Sequence, residues 1–344
     1  MRSSGYARNE QGAAAKRRSD RAVTLRLACE RDDREPLMPQ RTARVLVVSK
    51  KDLYQTAIHE QRDAHLLRLL RKRHPDVVEM RTAHVVHTHT LEAVIETLRS
   101  LPVTFELAYR AASLPASTAL NSSPRYDLVI SVGGDGTFLQ AAHVVSDSPI
   151  LGVNSDPRRS EAVFCAATRQ TFPRLCRLAL AGALPEQRLY RLAVKLNGRL
   201  VYPPAVNDAL VVHDDPATVS RYRLQIGSRR ELQKSSGVWV STAAGSSSAI
   251  LAAGGQRLPW DAKRFQYRPR ELYQGRLSGG RLTGGLLPPR RRVQMTWLMR
   301  RGSVFIDGPH ARIPLRFADE LELTLSLSNP VRVFSAPARA VPTG

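Results

Sequence analysis

The apolar run Leu128-Val129-Ile130-Ser131-Val132 passes without a break into Gly133-Gly134-Asp135-Gly136-Thr137, and a helical pattern over Phe138–Val145 follows at once. A strand that is apolar along its whole length suits burial on both faces, the condition of a parallel sheet. The glycines let the chain turn tightly at the strand end and approach phosphates without Cβ obstruction. The next helix offers unpaired N–H groups and the positive end of its dipole to an anion. This strand, turn and helix confine the half of the chain that contains them to an α/β fold.

The neighbouring residues predict the rest of that layer. A β-branched run over Ala43–Ser49 is followed by a helical stretch through Leu66, Leu67, Leu69 and Leu70. A helix over Leu91–Leu98 capped by Thr90, a strand over Val103–Ala108 and a strand over Pro149–Asn154 complete it. We expect residues 41–156 to form an α/β domain with a parallel sheet. After one helix near Thr171–Leu180 the pattern turns to strands, and Asn197-Gly198 between two of them is a strong hairpin signal. Leu321, Leu323, Leu325 and Leu327 alternate strictly, as a half-buried strand does. Residues 157–344 are therefore expected to be a mostly β domain. The Gly-, Pro- and Arg-rich stretch from Gly254 to Arg292 reads as a long loop lying over a binding cleft, and residues 1–40 read as a disordered tail or transit segment.

Charge narrows the partners. With 52 Lys and Arg against 30 Asp and Glu the net charge is +22, so anionic partners are expected. Nucleic acid is set aside because aromatics, 6% of the chain, do not interleave with the basic runs as a base-stacking surface requires. No apolar stretch reaches membrane-spanning length, so no membrane partner is expected, and phosphorylated small molecules remain. Three cysteines without zinc-type spacing read as reduced thiols, and His84, His87 and His89 lack a companion ligand set, so no protein-bound metal site is expected. The expected compartment is the cytoplasm, with a mitochondrial or other organelle matrix as the alternative.

Three segments carry chemistry. A carboxylate beside a phosphate-binding turn is electrostatically unfavourable unless it accepts a proton or holds a metal, so Asp135 is the candidate general base toward a hydroxyl nucleophile. The adjacent amide and carboxylate of Asn207-Asp208, just before the apolar run Ala209–Val212, can grip sugar hydroxyls as donor and acceptor together. The small residues of Ser241-Thr242-Ala243-Ala244-Gly245-Ser246-Ser247-Ser248-Ala249 suit close packing of a flat ring, with hydroxyls at its edge.

The order and spacing of these segments resemble the NAD kinase family. That family has a Gly-Gly-Asp-Gly-Thr turn, an Asn-acid pair, a Thr-rich Gly-Ser segment and a late Asp-Gly turn, matched here by Gly133–Thr137, Asn207-Asp208, Thr242–Ser247 and Asp307-Gly308. The likeness spans about Ala43 to Phe334. It is nearest to the branch typified by plant NADH kinase and animal mitochondrial NAD kinases, through Gly152-Val153-Asn154-Ser155-Asp156-Pro157 and Ser241–Ser246. The resemblance implies that Asp135 takes the proton from the 2′-hydroxyl of the adenosine ribose of NAD or NADH as it attacks ATP. It implies that Gly133, Gly134, Gly136 and Thr137 hold phosphates, with Gly136 also touching the substrate, and that Asn207 and Asp208 bind the dinucleotide. Thr242, Ser246 and Ser247 then line the adenosine pocket. It further implies Mg²⁺ with the ATP and a homodimer or higher homo-oligomer. The chain departs from the family in having Ala243 and Ala249 where a Pro and a Tyr are usual, which removes an aromatic wall at those positions. A lipid kinase of the diacylglycerol or sphingosine type shares the Gly-Gly-Asp-Gly-Thr turn, and a non-catalytic nucleotide-binding regulator is the reading from another class.

Overall fold

A computed structural model describes residues 42–109, 126–145, 147–275, 280–309 and 311–335; the expected tail over residues 1–40 lies outside them. From Thr42 onward the chain forms one compact unit. Its first half contains β1 (Ala43–Ser49), α1 (Ala64–Arg71), α2 (Pro75–Arg99), β2 (Val103–Tyr109), β3 (Leu128–Gly133), α3 (Asp135–Val144), β4 (Ile150–Asn154), β5 (Ala167–Thr168) and α4 (Phe172–Leu180). Strands β2, β1, β3 and β4 lie side by side and parallel, as the uninterrupted apolar runs require. Helices α2 and α4 cover one face through Val94, Leu98, Phe172 and Leu175. Helix α3 covers the other through Phe138, Leu139, Ala141 and Ala142.

The second half continues with β6 (Glu186–Leu196), β7 (Arg199–Ala205), β8 (Asp208–Val212), β9 (Ser220–Ile226), β10 (Arg229–Ser235) and β11 (Val238–Thr242). After the short helix α5 (Ala249–Ala252) come β12 (Phe265–Pro269), β13 (Gly285–Leu287), β14 (Val293–Trp297), β15 (Gly302–Ile306), β16 (Ala311–Leu315) and β17 (Glu320–Phe334). Strands β10, β9, β14 and β17 extend the parallel sheet beyond β4, while β13, β12, β11, β8, β15 and β16 form a separate sheet. Between the two lies a second apolar core that includes Tyr222, Phe265, Met295, Trp297 and Leu323. The α/β half with its parallel sheet and the mostly β half are thus the architecture expected.

Three local expectations differ. Thr90 is no cap: helix α2 begins fifteen residues earlier, with Pro75 in its first turn, and the Thr90 hydroxyl bonds Val86 O at 3.0 Å and Ser155 O at 3.2 Å. Proline is tolerated there because the first N–H groups of a helix have no intrahelical partner. The stretch from Gly254 to Arg292 is no plain loop, since it contains β12 and β13. Leu321, Leu323 and Leu325 are buried as the alternation predicts, but the pairing with β6 shifts register between Ser326 and Val331, and Leu327 is turned outward.

Candidate active site

The turn after β3 is built on close approach. Gly134 caps α3, and its carbonyl accepts from the N–H groups of Thr137 at 2.9 Å and Phe138 at 3.2 Å. A Cβ at Gly133 would stand 2.3 Å from Thr137 Oγ1, so glycine is required for the Thr137 side chain to fold back over the strand end. Gly136 is exposed and Gly134 partly so, leaving the first turn of α3 open for an anion. The Asp135 carboxylate is partly exposed and accepts two backbone N–H groups, from Val163 at 3.0 Å and Phe164 at 2.9 Å. It fixes the segment that follows β4. Ser155 N–H donates to Gly133 O at 3.1 Å and secures the same segment from its other end.

The second motif is organised from a distance in sequence. The side chain of Asp307, fully buried at the end of β15, accepts from three successive N–H groups: Val206 at 2.7 Å, Asn207 at 2.7 Å and Asp208 at 3.0 Å. His143 Nε2, in the last turn of α3, lies 2.6 Å from the same carboxylate. The third motif locks onto the second: Thr242 Oγ1 donates to Val206 O at 2.5 Å, and Thr242 N–H to Asn207 O at 2.9 Å. Gly245 packs so closely that a Cβ there would lie 2.3 Å from Asn207 O. A single chain of hydrogen bonds therefore joins the helix of the Gly-rich turn, Asp307, Asn207-Asp208 and Thr242.

The predicted residues divide by what their polar groups do. The Thr242 hydroxyl is committed to backbone, and so is that of Ser246, which accepts from Leu258 N–H at 2.9 Å. Each of the two hydroxyls thereby holds a loop in place. Ser247 is partly exposed. Thr137 Oγ1 and Asn207 Oδ1 are buried without a hydrogen-bond partner in the protein. Asp208 is buried, its Oδ2 accepting from Ser248 Oγ at 2.9 Å, and burial, with the Asp307 charge next, pushes its carboxyl up to about 7. Sequence reading missed His143, which carries no pattern of its own, counted Ser248 only among the small residues of the third segment, and took Asp307 only as part of a turn. The three histidines of α2 do not converge: His84 Nδ1 is 2.8 Å from Asp52, and His87 Nε2 is 3.3 Å from Ser49 Oγ. Among the described residues no three His, Cys, Asp or Glu side chains gather as a metal site.

The family model for the ATP-NAD kinase N-terminal domain matches residues 38–156. A probable NADH kinase of Oryza sativa subsp. japonica is 39% identical over 220 residues, covering 58% of this chain and 68% of that protein. The chain belongs to the NAD kinase family. The NADH kinase of Arabidopsis thaliana is 30% identical over 222 residues, covering 58% of this chain and 69% of its own length. The fold is also that of the NAD kinase from Archaeoglobus fulgidus, solved in complex with ATP, at a TM-score of 0.59 and 20% identity over 85% of this chain and 93% of that one.

Two outcomes follow from the geometry. Gly245→Ala drives a methyl group into the Asn207 backbone and should cost about 1–3 kcal/mol, as overpacking does, seen as a lower midpoint in chemical denaturation. For Asp208, the folded carboxyl stays protonated up to about 7 whereas the unfolded one ionises near 3.8. The fold thus loses stability on this account as pH rises through that window. Asp208→Asn cannot ionise, so its Tm relative to the wild type should rise between about pH 4 and about pH 8. An unchanged difference across that range would mean that Asp208 is ionised in the fold.

Proposed function

We propose that this chain is an NAD(H) kinase that transfers the terminal phosphoryl group of ATP to the 2′-hydroxyl of the adenosine ribose of NAD or NADH. The observation that carries the reading is a carboxylate at the open first turn of α3, within the hydrogen-bonded frame that also holds Asn207 and Asp208. An ionised carboxylate has about four lone-pair sites, and the two backbone N–H groups on Asp135 leave capacity for a hydroxyl proton. The attacking 2′-oxygen gives that proton to Asp135 as its bond to phosphorus forms and the bond to the donor's bridging oxygen breaks. In this reading the N–H groups around Gly134 and Gly136 take the donor phosphates, and the Thr137 hydroxyl, which has no protein partner, is assigned to the same role. Asn207 Oδ1 has no protein partner, which suits a ribose or base donor group.

Mg²⁺ accompanies ATP in this reading. Phosphate oxygens and water can complete its octahedron with at most one or two carboxylates, which fits a chain whose described residues gather no three-ligand group. The cation offsets charge on the donor phosphates. No helix of the described residues is long and apolar enough to cross a membrane. A cytoplasmic enzyme, with an organelle matrix as the alternative, is a separate part of the proposal. A homodimer or higher homo-oligomer is part of the same proposal. The lipid-kinase alternative shares the turn alone; the Asn207-Asp208 pair and its lock to Thr242 favour a dinucleotide.

The test is a product assay on purified protein, crossing NAD and NADH with ATP and inorganic polyphosphate. NADP or NADPH should form, and NADH should be used at least as well as NAD, given the likeness to the plant NADH kinases. A preference for NAD of about tenfold or more in kcat/KM would overturn the NADH assignment and leave the kinase reading intact. Asp135→Asn should lower kcat by about 10²–10⁴-fold with dinucleotide binding retained, as loss of a general base does. Near-normal turnover by that variant removes Asp135 from the role.

A further inference from the structure

Phe138, Phe164 and Trp260 form a run of rings: Phe138 and Phe164 stack with centroids 4.8 Å apart and an interplanar angle of 22°, and Trp260 meets Phe164 at 5.2 Å and 47°. Phe138 and Phe164 are buried, whereas Trp260 is only partly so. It shares with Phe164, Val163 and Pro259 the lining of an open cleft of about 500 Å³, and the exposed side chains of Gln187 and Asp261 stand at that cleft too.

Two hydrogen-bonded segments tie the walls of this cleft to the motifs. Its Val163–Phe164 wall is the segment whose N–H groups bind the Asp135 carboxylate, so ring wall and catalytic carboxylate are fixed to one another. The segment carrying Trp260 is held by the third motif: Ser246 Oγ accepts from Leu258 N–H at 2.9 Å, and Gln256 exchanges two hydrogen bonds with the Gln266 side chain, at 2.9 and 2.8 Å. The committed hydroxyl of Ser246 therefore positions the loop that bears the indole.

We infer that Trp260 is a substrate-binding residue, presenting its indole face to one flat heteroaromatic ring of the dinucleotide in the cleft beside Phe164. The inference rests on the NAD(H) kinase reading. Stacking on an indole suits any planar ring, and the Asp261 carboxylate and Gln187 amide can accept from or donate to an amino or carboxamide edge. Adenine and nicotinamide both present such an edge, and the mononucleotides AMP and nicotinamide mononucleotide separate them.

The experiment compares wild type, Trp260→Phe and Trp260→Ala for ATP-dependent phosphorylation of NADH, with Tm recorded for each. Trp260→Ala should raise KM for the dinucleotide about tenfold, within the range for loss of one base-stacking contact, with kcat changed less than about threefold. Trp260→Phe should recover most of the loss. In a second arm, tryptophan fluorescence of the wild type is titrated with AMP and with nicotinamide mononucleotide. Quenching by one of them, absent in Trp260→Phe, identifies the ring and supports the assignment even if the alanine variant does not fold. A folded alanine variant with unchanged KM overturns it, as does quenching by neither mononucleotide. Absence of NADP(H) formation by the wild type would instead count against the kinase reading, which the mononucleotide titration does not depend on.

Discussion

Three backbone N–H groups in a row converge on the buried carboxylate of Asp307, and the rest of the site hangs from that contact. Hydrogen bonds to a charged acceptor are the stronger kind, and a buried carboxylate without them would carry its full desolvation cost. Val206, Asn207 and Asp208 are held by it in one backbone conformation, and the carbonyls of Val206 and Asn207 then receive Thr242. His143 brings α3 to the same carboxylate, so the helix that begins at the Gly-rich turn ends on the anchor of the second motif. Residues separated by up to 164 positions share one proton-rich hub.

The hub has an electrostatic consequence for its neighbour. Asp307 is compensated by four donors or donor-capable groups, while Asp208, just beside it, has only the Ser248 hydroxyl. Burial disfavours a second unpaired charge, and the carboxyl of Asp208 is pushed toward neutrality. In its protonated form Asp208 gains an O–H donor. The pair thus divides the roles: the Asp307 carboxylate is tied down by its donors, while Asp208 is able to present a proton.

Most of the architecture was legible because apolar periodicity reports burial. The continuous runs at β1, β3 and β4 are buried on both faces, and the Asn197-Gly198 turn lies where β6 reverses into β7. Helix α2 was read short because its first half carries His, Val and Thr without a clean apolar stripe, leaving Pro75 as the one boundary signal. In the site, the three motifs announced themselves by rare local chemistry, glycines around a carboxylate and an amide beside an acid. What no local pattern reports is a partner brought in by the fold: that Thr242 and Ser246 spend their hydroxyls on loops, that His143 meets Asp307, or that Trp260 reaches Phe164. Those facts depend on how α3 and the two sheets are stacked.

Strand β17 runs unbroken in sequence from Glu320 to Phe334, pairing antiparallel with β14 and β6 in the β half and reaching β4 of the parallel sheet at Val333. It works as a girder shared by both halves. A girder of this sort resists rotation of one half against the other, since its ladder with β6 continues on both sides of the register shift between Ser326 and Val331. Any tightening of the protein around a bound molecule must therefore come from short segments mounted on a stiff frame. Speed of entry and exit is then set by loop motion, on a faster timescale than the rocking of whole domains.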